Sequence, residues 1–378
     1  MAQRIGVIGG GQLARMMVPP AVQLGLDLRV LAEAEGSSAR LAATALGDHH
    51  DVATVLAFAR DVDAITFDHE HVPQDVLAAL VDAGVPVHPG PAALAVAQDK
   101  LVMRERLTAL GVPVPDWAAV RDEHELGAFL ADHGGRAVVK TARGGYDGKG
   151  VRVVRDAGDA ADWFAVLDEA AGTGALLVEE LVDFRRELAQ SVARRPSGEV
   201  VAWPLVETVQ RDGVCAEVIA PAPDSTGRVA ELAEHIAVTV AAEVDVTGVL
   251  AVELFETVDG RLLVNELAMR PHNTGHWSID GAVTSQFEQH LRAVLDLPLG
   301  ATDVHADWSV MVNVLGGPAS GELADRLPRL MAAHPEVKVH DYGKDPRPGR
   351  KVGHVTLSGG DLPDVVARAR AAVTFFEG

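Results

Sequence analysis

Two glutamates in one predicted β-hairpin, Glu253 and Glu266, have the spacing of a divalent-metal site. Residues 253–266 have the pattern of two strands that meet at Asp259-Gly260, a preferred two-residue turn. This turn would pair Glu253 directly with Glu266 and bring their Cβ atoms to about 5 Å on one face of the hairpin.

The same register places Phe255, Leu262 and Val264 on the face of the glutamates, which would then be partly buried. Two carboxylates in such a setting repel each other unless a proton or a cation lies between them. Magnesium ions that bridge substrate phosphates are the usual solution, because Mg²⁺ prefers carboxylate oxygens as ligands. The alternative is a bulge in one strand that separates the two glutamates into water.

A glycine-rich loop between two predicted strands could cover phosphates. Residues 144–150 contain four glycines in seven positions, and Lys140, Arg143 and Lys149 add three cations. Glycines let backbone N–H groups approach phosphate oxygens, and lysines neutralise their charge. The loop is not a Walker A loop, because Gly150 follows Lys149 where that motif needs Ser or Thr. An exposed hairpin turn is the alternative, but such a turn needs fewer glycines.

Cations and imidazoles follow the hairpin directly. Arg270, His272 and Asn273 lie next to the proposed metal ligands, and a guanidinium can bind a carboxylate or phosphate with two hydrogen bonds. The alternative is a structural loop in which Arg270 pairs with an acid. Farther along, residues 344–351 hold four cations in eight positions of an acidic chain. We interpret this basic cluster as a phosphate pocket for a second substrate, with a solvated turn as the alternative.

The N-terminal motif has the form of a dinucleotide site. Gly9, Gly11 and Ala14 form G-x-G-x-x-A between a predicted strand and a predicted helix, and Glu33 ends the next strand. In the dinucleotide fingerprint, the helix N-terminus binds a pyrophosphate and the acid binds a ribose. An NAD- or FAD-dependent oxidoreductase is therefore one hypothesis. The other is a close-packed turn, or one that holds a different phosphate.

Two histidine pairs do not predict a metal site by themselves. His69 and His71 flank Glu70, but no third ligand follows at a suitable spacing. His49-His50 predicts a solvated loop.

The elements that must position these residues fall into three segments. Residues 1–98 alternate strand and helix patterns, including a last strand over 86–88, which predicts a mostly parallel sheet with helices on its faces. Residues 99–296 are rich in strands and contain the glycine loop and the hairpin. Residues 297–378 combine short strands with a terminal helix. We therefore expect three domains with these bounds.

Composition restricts the class of protein further. The 378 residues include 33 Lys+Arg and 54 Asp+Glu, and the resulting charge of −21 argues against a nucleic-acid partner. No apolar run reaches the roughly 18 residues of a membrane helix, so no membrane partner is expected. The N-terminus shows no signal peptide, and a single cysteine, Cys215, cannot form an internal disulfide. We expect a cytoplasmic protein.

Taken together, these stretches resemble the ATP-grasp ligases and, among them, the 5-(carboxyamino)imidazole ribonucleotide synthase family. The resemblance covers essentially the whole chain and is most specific at residues 9–13, 144–150, 265–277 and 347–354. It implies an α/β ATP-grasp fold with an N-terminal Rossmann-like parallel-sheet domain and a small C-terminal β-rich domain. It also implies a homodimer that carboxylates 5-aminoimidazole ribonucleotide with ATP and bicarbonate, through carboxyphosphate, in purine synthesis.

The resemblance also implies roles for single residues. Two Mg²⁺ ions would bind with ATP at Glu253 and Glu266. The ATP site would comprise Lys100, Lys140, Gly145, Tyr146, Asp147, Gly148, Lys149, Gly150, Val151, Glu179, Glu180, Leu181, Val182, Glu187, Gln210, Asn265 and Glu266. The catalytic residues would be Arg270, His272 and Asn273, around bicarbonate and carboxyphosphate, and Lys149, at the ATP phosphates. The ribonucleotide would contact Gln12, Glu70, Tyr146, Asp147, Lys344, Arg350 and Lys351, with the last three binding its phosphate.

Two departures from the family pattern concern residues of the implied ATP site. Lys100 stands where arginine is frequent, and Gln210 stands where a histidine near ATP is common. Both departures bear on nucleotide affinity and leave the reaction class intact. Other functions stay open at this point: the oxidoreductase, a related ATP-grasp enzyme that uses formate and glycinamide ribonucleotide, and a nucleotide-binding protein without turnover. The oxidoreductase leaves the glycine loop, the paired glutamates and the basic cluster unexplained.

Overall fold

The first sheet of the protein is parallel throughout, in a computed structural model that describes residues 2–144, 150–167, 174–225 and 227–376. Its strands, in the order β3-β2-β1-β4, are β1 (Arg4–Ile8), β2 (Asp27–Ala32), β3 (Ala43–Leu46) and β4 (Ala64–Phe67). Apolar clusters on both faces join it to α1 (Gln12–Gln23), α2 (Val52–Ala59) and α3 (Gln74–Asp82). The predicted parallel sheet is therefore confirmed.

Residues 86–88, predicted as a strand, form only one isolated bridge, between Val87 and Ile65. Pro86 lacks the N–H group that a longer ladder would need, so the pairing cannot extend. The segment still runs beside β4, because Ile65 donates to the Pro86 carbonyl and His88 donates to the Ile65 carbonyl. The prediction of a strand was wrong because proline at this position permits only a single bridge.

A second sheet carries the glycine loop. Its antiparallel strands, in the order β5-β8-β6-β7, are β5 (Trp117–Val120), β6 (Ala137–Thr141), β7 (Val151–Val154) and β8 (Leu176–Glu180). Helices α6 (Glu123–Asp132) and α7 (Ala161–Phe164) pack against this sheet, whereas α4 (Pro91–Gln98) and α5 (Lys100–Ala109) belong to the apolar cluster of the third sheet. Strands β6 and β7 pair directly, which confirms that the loop joins two strands. Gly145, Tyr146, Asp147, Gly148 and Lys149 lie outside the described residues.

The third sheet is antiparallel and has nine strands in the described part of the chain. The main path is β14-β13-β9-β11-β12-β15-β17-β16, and β10 pairs with β9. The strands are β9 (Phe184–Arg194), β10 (Val200–Ala202), β11 (Val206–Arg211), β12 (Val214–Ala220), β13 (Gly248–Thr257), β14 (Leu262–Ala268), β15 (Trp308–Leu315), β16 (Lys338–Asp341) and β17 (Lys351–Gly359). Because β15 pairs with β12, the C-terminal strands extend the sheet that holds the hairpin.

Helices from the second half of the chain pack on this large sheet. They are α8 (Arg228–Glu243), α9 (Ser278–Gly281), α10 (Gln286–Val294), α11 (Leu327–Ala333) and α12 (Leu362–Val373). Helix α8 shares an apolar cluster with β9 and the hairpin, whereas α12 shares another with β15 and β17. Among the described residues, no helix has both the length and the apolar character needed to cross a bilayer.

Candidate active site

The hairpin of β13 and β14 places Glu253 directly opposite Glu266, as the sequence predicts. The register near the turn differs from the expected one by one residue, because Glu256 pairs with Leu262. A β-bulge beside Glu253, in which Asn265 is the extra residue, restores the predicted register at the glutamates. The bulge therefore brings the two glutamates together instead of separating them.

The bulge also changes the surroundings of the glutamates. Leu262 and Val264, predicted to share their face, lie on the other face in an apolar core with Leu254. That prediction was wrong because a shift of one residue turns each side chain to the opposite face of a strand. The bulged Asn265 gains a polar contact, since its Oδ1 accepts a hydrogen bond from Lys140 Nζ at 3.1 Å.

Negative charge is crowded at this glutamate pair. Burial, Glu266 and Glu187 together raise the pKa of Glu253 to about 8, and the ammonium group of Lys351 only reduces the rise. At neutral pH, Glu253 must therefore share its place with a proton or a cation. With the Asn265 amide oxygen, the pair offers an all-oxygen donor set that is open to solvent at Glu266, whose side chain is 48% exposed. This donor set suits Mg²⁺.

A buried ion-pair network fixes Lys140 beside the glutamate pair. Lys140 Nζ lies 2.6 Å from Glu179 Oε2. Arg104, which is fully buried, binds the other carboxylate oxygen of Glu179 and donates to the Asn265 carbonyl at 2.7 Å. Burial alone would raise the pKa of Glu179, but Arg104 and Lys140 hold it below its usual value. Arg104 was not predicted as a site residue, and its one clue in the sequence is a charged residue on the apolar side of a predicted helix.

The other residues predicted to contact ATP surround this network. Lys100 Nζ lies 3.5 Å from Glu266 Oε1 and donates to the backbone oxygen of Gly144. Gln210, at a bulge of β11, hydrogen-bonds the carboxyl group of Glu187, and burial raises the pKa of that group. Of the other residues predicted to contact ATP, Gly150 and Val151 lie at the start of β7. Glu180, Leu181 and Val182 lie at the end of β8 or directly after it.

His272 is the member of the predicted bicarbonate site that contacts the glutamate pair. Its Nε2 lies 3.8 Å from Glu253 Oε1. Burial, with the cations of Arg270 and Lys351, keeps the pKa of His272 well below its usual value, so the imidazole is neutral. Gln286, which sequence analysis missed, accepts a hydrogen bond from the His272 N–H at 2.9 Å and donates to its carbonyl at 2.8 Å.

Asn273 and Arg270 have protein partners in this structure. The buried Asn273 amide exchanges two hydrogen bonds with Asn313 on β15, at 3.1 and 2.8 Å, and so ties the loop to the large sheet. Arg270 Nε lies 3.4 Å from Glu70 Oε2, while Glu70 Oε1 accepts a hydrogen bond from the Met269 N–H. Glu70 is therefore the acid with which Arg270 would pair if the loop had only a structural role.

A cavity of about 340 Å³ lies between the N-terminal glycine turn and the basic cluster, and residues of both line it. Lys344 and Arg350 line it, and Lys344 also binds the side chain of Gln12. The charge of Lys351 acts at a different place, since it lowers the pKa of His272 and opposes the rise at the glutamate pair. Of the three cations predicted to bind one phosphate, Lys344 and Arg350 therefore line the cavity, whereas the charge of Lys351 acts on the glutamate pair and His272.

The N-terminal turn is occupied by the chain's own carboxylates. Asp68 Oδ1 accepts a hydrogen bond from the Ala14 N–H at 2.8 Å, and a Cβ atom at Gly11 would lie only 2.0 Å from Asp68 Oδ2. Glu33, which the fingerprint would assign to a ribose, accepts from the Gly10 N–H instead. Because Asp68 takes the position of a pyrophosphate at the helix N-terminus, the turn does not support a dinucleotide site.

Family models match most of the chain in three stretches. Residues 1–98 match a ribonucleotide synthetase preATP-grasp domain, residues 105–287 an ATP-grasp domain, and residues 309–368 a phosphoribosylaminoimidazole carboxylase C-terminal domain.

Individual proteins match over nearly the full length. The N5-carboxyaminoimidazole ribonucleotide synthase of Mycobacterium tuberculosis is 53% identical over 376 residues, which are 98% of this chain and 87% of that relative. The crystal structure of the synthetase from Thermus thermophilus has a TM-score of 0.86 at 36% identity, over 99% of this chain and 98% of that one. The Aspergillus clavatus synthase, solved with ADP and 5-aminoimidazole ribonucleotide, has a TM-score of 0.88 at 29% identity and the same coverage.

Proposed function

The chain belongs to the N5-carboxyaminoimidazole ribonucleotide synthase family of ATP-grasp ligases, and we infer that it carboxylates 5-aminoimidazole ribonucleotide in a reaction driven by ATP. The products are the N5-carboxylated ribonucleotide, ADP and phosphate, and the step serves purine synthesis. Within the chain, the observation that carries this function is the crowded pair of Glu253 and Glu266 beside Lys140. Phosphoryl transfer needs such cation-binding groups next to the phosphates.

We propose that Mg²⁺ and the ATP phosphates meet at the glutamate pair. Glu253, Glu266 and the Asn265 amide would hold the metal, and Mg²⁺ would supply the positive charge that offsets the phosphoryl group as it transfers. Lys140 is held in place by Glu179 and Arg104, so it can contact a phosphate without reorganisation. Lys149 and the glycine loop would close over the phosphates, and Glu187, Gln210 and residues 179–182 would bind the nucleoside.

We further propose that bicarbonate binds between the glutamate pair and residues 270–272. One bicarbonate oxygen attacks the γ-phosphorus, ADP leaves, and carboxyphosphate forms. Lys351 and Arg270 would stabilise its negative charge, and the neutral His272 can take the hydroxyl proton of bicarbonate. The amine of the ribonucleotide then bonds to the carboxyphosphate carbon, or to CO₂ released from it, as phosphate departs and one amine proton is lost. Water must be excluded, because it would destroy the intermediate.

The cavity beside the glycine turn is the proposed ribonucleotide site. Its volume of about 340 Å³ suits a small phosphorylated nucleoside, and Lys344 and Arg350 offer cations to the phosphate in a chain of net charge −21. Gln12 lies beside Lys344, and Glu70 lies beside Arg270. The ribonucleotide amine, which accepts the carboxyl carbon, would therefore reach from the cavity toward Arg270. Tyr146 and Asp147 are expected to contact the ribonucleotide between the cavity and Arg270.

Three broader features stay proposals. The division into domains 1–98, 99–296 and 297–378 is supported by the three family models, which match residues 1–98, 105–287 and 309–368, although the large sheet continues from β12 into β15. A homodimer is proposed from the family resemblance. A cytoplasmic location is proposed because the chain has a single cysteine, the buried Cys215, and so no internal disulfide. Light scattering of the purified chain tests the dimer.

Phosphate release tests the proposed function. The chain is incubated with Mg-ATP and ¹³C-bicarbonate, with or without 5-aminoimidazole ribonucleotide, and ¹³C NMR follows the carbamate carbon. We expect phosphate release that depends on bicarbonate, and a labelled carbamate only when the ribonucleotide is present. A product formed from formate and glycinamide ribonucleotide, or reduction of NAD(P), would instead identify another reaction.

A further inference from the structure

Three metal-ligating side chains meet at one edge of the first sheet. Glu33 directly follows β2, His49 lies three residues after β3, and His69 lies two residues after β4. The carboxyl ends of parallel strands meet at the same edge, so residues far apart in sequence come together there. The sequence around His49 and His69 did not indicate a metal site, because the third side chain, Glu33, follows a different strand and is far away in the sequence.

Two of the distances between the ligand atoms are near those around a tetrahedral ion. Glu33 Oε1 lies 3.4 Å from His69 Nε2 and 3.8 Å from His49 Nδ1, and the three ligand atoms all lie within 4.8 Å of one another. Zinc bonds of about 2.0–2.2 Å at tetrahedral angles place neighbouring ligand atoms roughly 3.3–3.6 Å apart. The cluster therefore needs only small side-chain adjustments to hold an ion at its centre.

His49 supplies an independent reason to expect a ligand. Both of its ring nitrogens are buried, and neither has a hydrogen-bond partner among the described residues. An imidazole carries a donor and an acceptor, and leaving both unsatisfied where no water reaches them is unfavourable. A metal ion at Nδ1 would satisfy that nitrogen directly.

We propose that Glu33, His49 and His69 form a binding site for a divalent transition-metal ion such as Zn²⁺ or Co²⁺. Two imidazoles and one carboxylate suit these ions, whereas the oxygen-only set at Glu253 and Glu266 suits Mg²⁺. Glu33 and His69 also line the 340 Å³ cavity, so an ion bound by the three side chains would lie at its edge.

The protonation states are compatible with binding at neutral pH. Burial, with the neighbouring imidazoles, lowers the pKa of His49 to about 4, and the hydrogen bond from His69 is the main cause that lowers the pKa of Glu33 to about 2. In this structure His69 Nδ1 accepts a hydrogen bond from the His71 N–H at 3.2 Å. When a metal takes Nε2, the imidazole proton moves to Nδ1 and this contact is given up.

Metal titration of the full chain tests the site. Calorimetry with Zn²⁺, and the visible absorption of Co²⁺, are measured with Mg-ADP in excess so that the glutamate pair is already occupied. The variants are Glu33→Gln, His49→Ala and His69→Ala. His71→Ala is the matched control, because its ring lies 5.5 Å from that of His69 but is not a ligand in the cluster. Circular dichroism without metal confirms that each variant is folded.

The wild-type chain is expected to bind one ion that each ligand variant binds more than about tenfold more weakly, while His71→Ala binds it normally. His50→Ala separates this site from a neighbouring cluster of Asp48, His49 and His50. If His50→Ala abolishes binding and His69→Ala does not, the ion belongs to that other cluster and the proposal is wrong. Equal binding by every folded variant, or no binding by the wild type, overturns it as well.

Discussion

The N-terminal turn at residues 9–14 and the hairpin at residues 253–266 both bring acidic side chains to a position typical of nucleotide sites. At the turn, the carboxylate of Asp68 accepts a backbone hydrogen bond from Ala14, so the helix N-terminus is already used. At the hairpin, Glu253 faces another carboxylate and has a pKa of about 8. A carboxylate of the protein itself therefore occupies the anion position of the turn, whereas Glu253 at the hairpin needs a proton or a cation.

The largest expected effect comes from removing one carboxylate of the hairpin. Glu266→Gln should lower kcat for ATP-dependent turnover on the order of 100-fold or more, because the proposed Mg²⁺ loses a charged ligand. Phosphate release at several Mg²⁺ concentrations measures the loss. Asp259→Asn, in the exposed turn of the same hairpin, is the control and should retain activity. If Glu266→Gln turned over at the wild-type rate, Glu266 would not be a metal ligand, and the hairpin would not differ from the turn in binding a cation.

The divided basic cluster gives the next effect. Lys351→Ala should lower kcat roughly ten- to a hundredfold, because its charge acts at the glutamate pair and His272. Arg350→Ala, one residue away, should instead raise the KM for the ribonucleotide by a similar factor, because it lines the cavity. Steady-state kinetics with each substrate varied in turn separates the two. A Lys351→Ala variant with a raised ribonucleotide KM and normal kcat would return Lys351 to the phosphate pocket.

Ligand-induced stabilisation compares the two regions in the unmodified chain. Mg-ATP at about 100 times its Kd should stabilise the fold by about 2.7 kcal/mol and raise the Tm by a few degrees. NAD⁺, NADP⁺ and FAD should leave the Tm unchanged, because Asp68 fills the anion position at α1. Differential scanning calorimetry measures both. Stabilisation by a dinucleotide would show that the carboxylate can be displaced from the turn.

The smallest effect concerns His290, which connects the first sheet, where the turn lies, to β13, the first strand of the hairpin. Its Nε2 donates to Thr66 of the first sheet, and its Nδ1 accepts from the Val249 N–H in β13. Burial lowers the pKa of His290 to about 3, below the ordinary value of 6.5, so its stabilising contribution is complete above pH 6.5 and decreases as the pH falls toward 3. The expected slope is about 1.4 kcal/mol per pH unit.

Urea unfolding at pH 7 and pH 5.5 measures this slope. His290→Gln should unfold with a smaller pH dependence than the wild type, whereas His124→Gln, at an exposed position on α6, should not change it. Identical pH dependence in His290→Gln and the wild type would mean that this junction does not titrate as described.

Short-range features of the hairpin could be predicted from sequence, but its long-range partners could not. The Asp259-Gly260 turn and the alternating strands were enough to place Glu253 opposite Glu266. The bulge at Asn265 was not predictable, because its carbonyl is held by Arg104 from a helix about 160 residues earlier. The register shift that follows explains why Leu262 was expected on the wrong face.

The same limit applies to the fold and to the N-terminal turn. Alternating patterns in residues 1–98 correctly predicted a parallel sheet, since that arrangement follows from βα repeats. The extension of the large sheet by β15–β17 depends on the pairing of β15 with β12, which leaves no local pattern. Asp68 likewise reaches α1 only through the fold, so the glycine motif alone could not exclude a dinucleotide.

Isotope transfer tests the central claim that bicarbonate is activated by phosphorylation at the hairpin. The chain is given ¹⁸O-labelled bicarbonate, Mg-ATP and 5-aminoimidazole ribonucleotide, and the released phosphate is analysed by ³¹P NMR. If carboxyphosphate forms, its C–O bond breaks later and each phosphate retains one oxygen from bicarbonate. We expect one ¹⁸O atom per phosphate formed in step with the carboxylated product. Unlabelled phosphate with normal product formation would mean that water, and not bicarbonate, attacks the γ-phosphorus of ATP, so that bicarbonate is not phosphorylated.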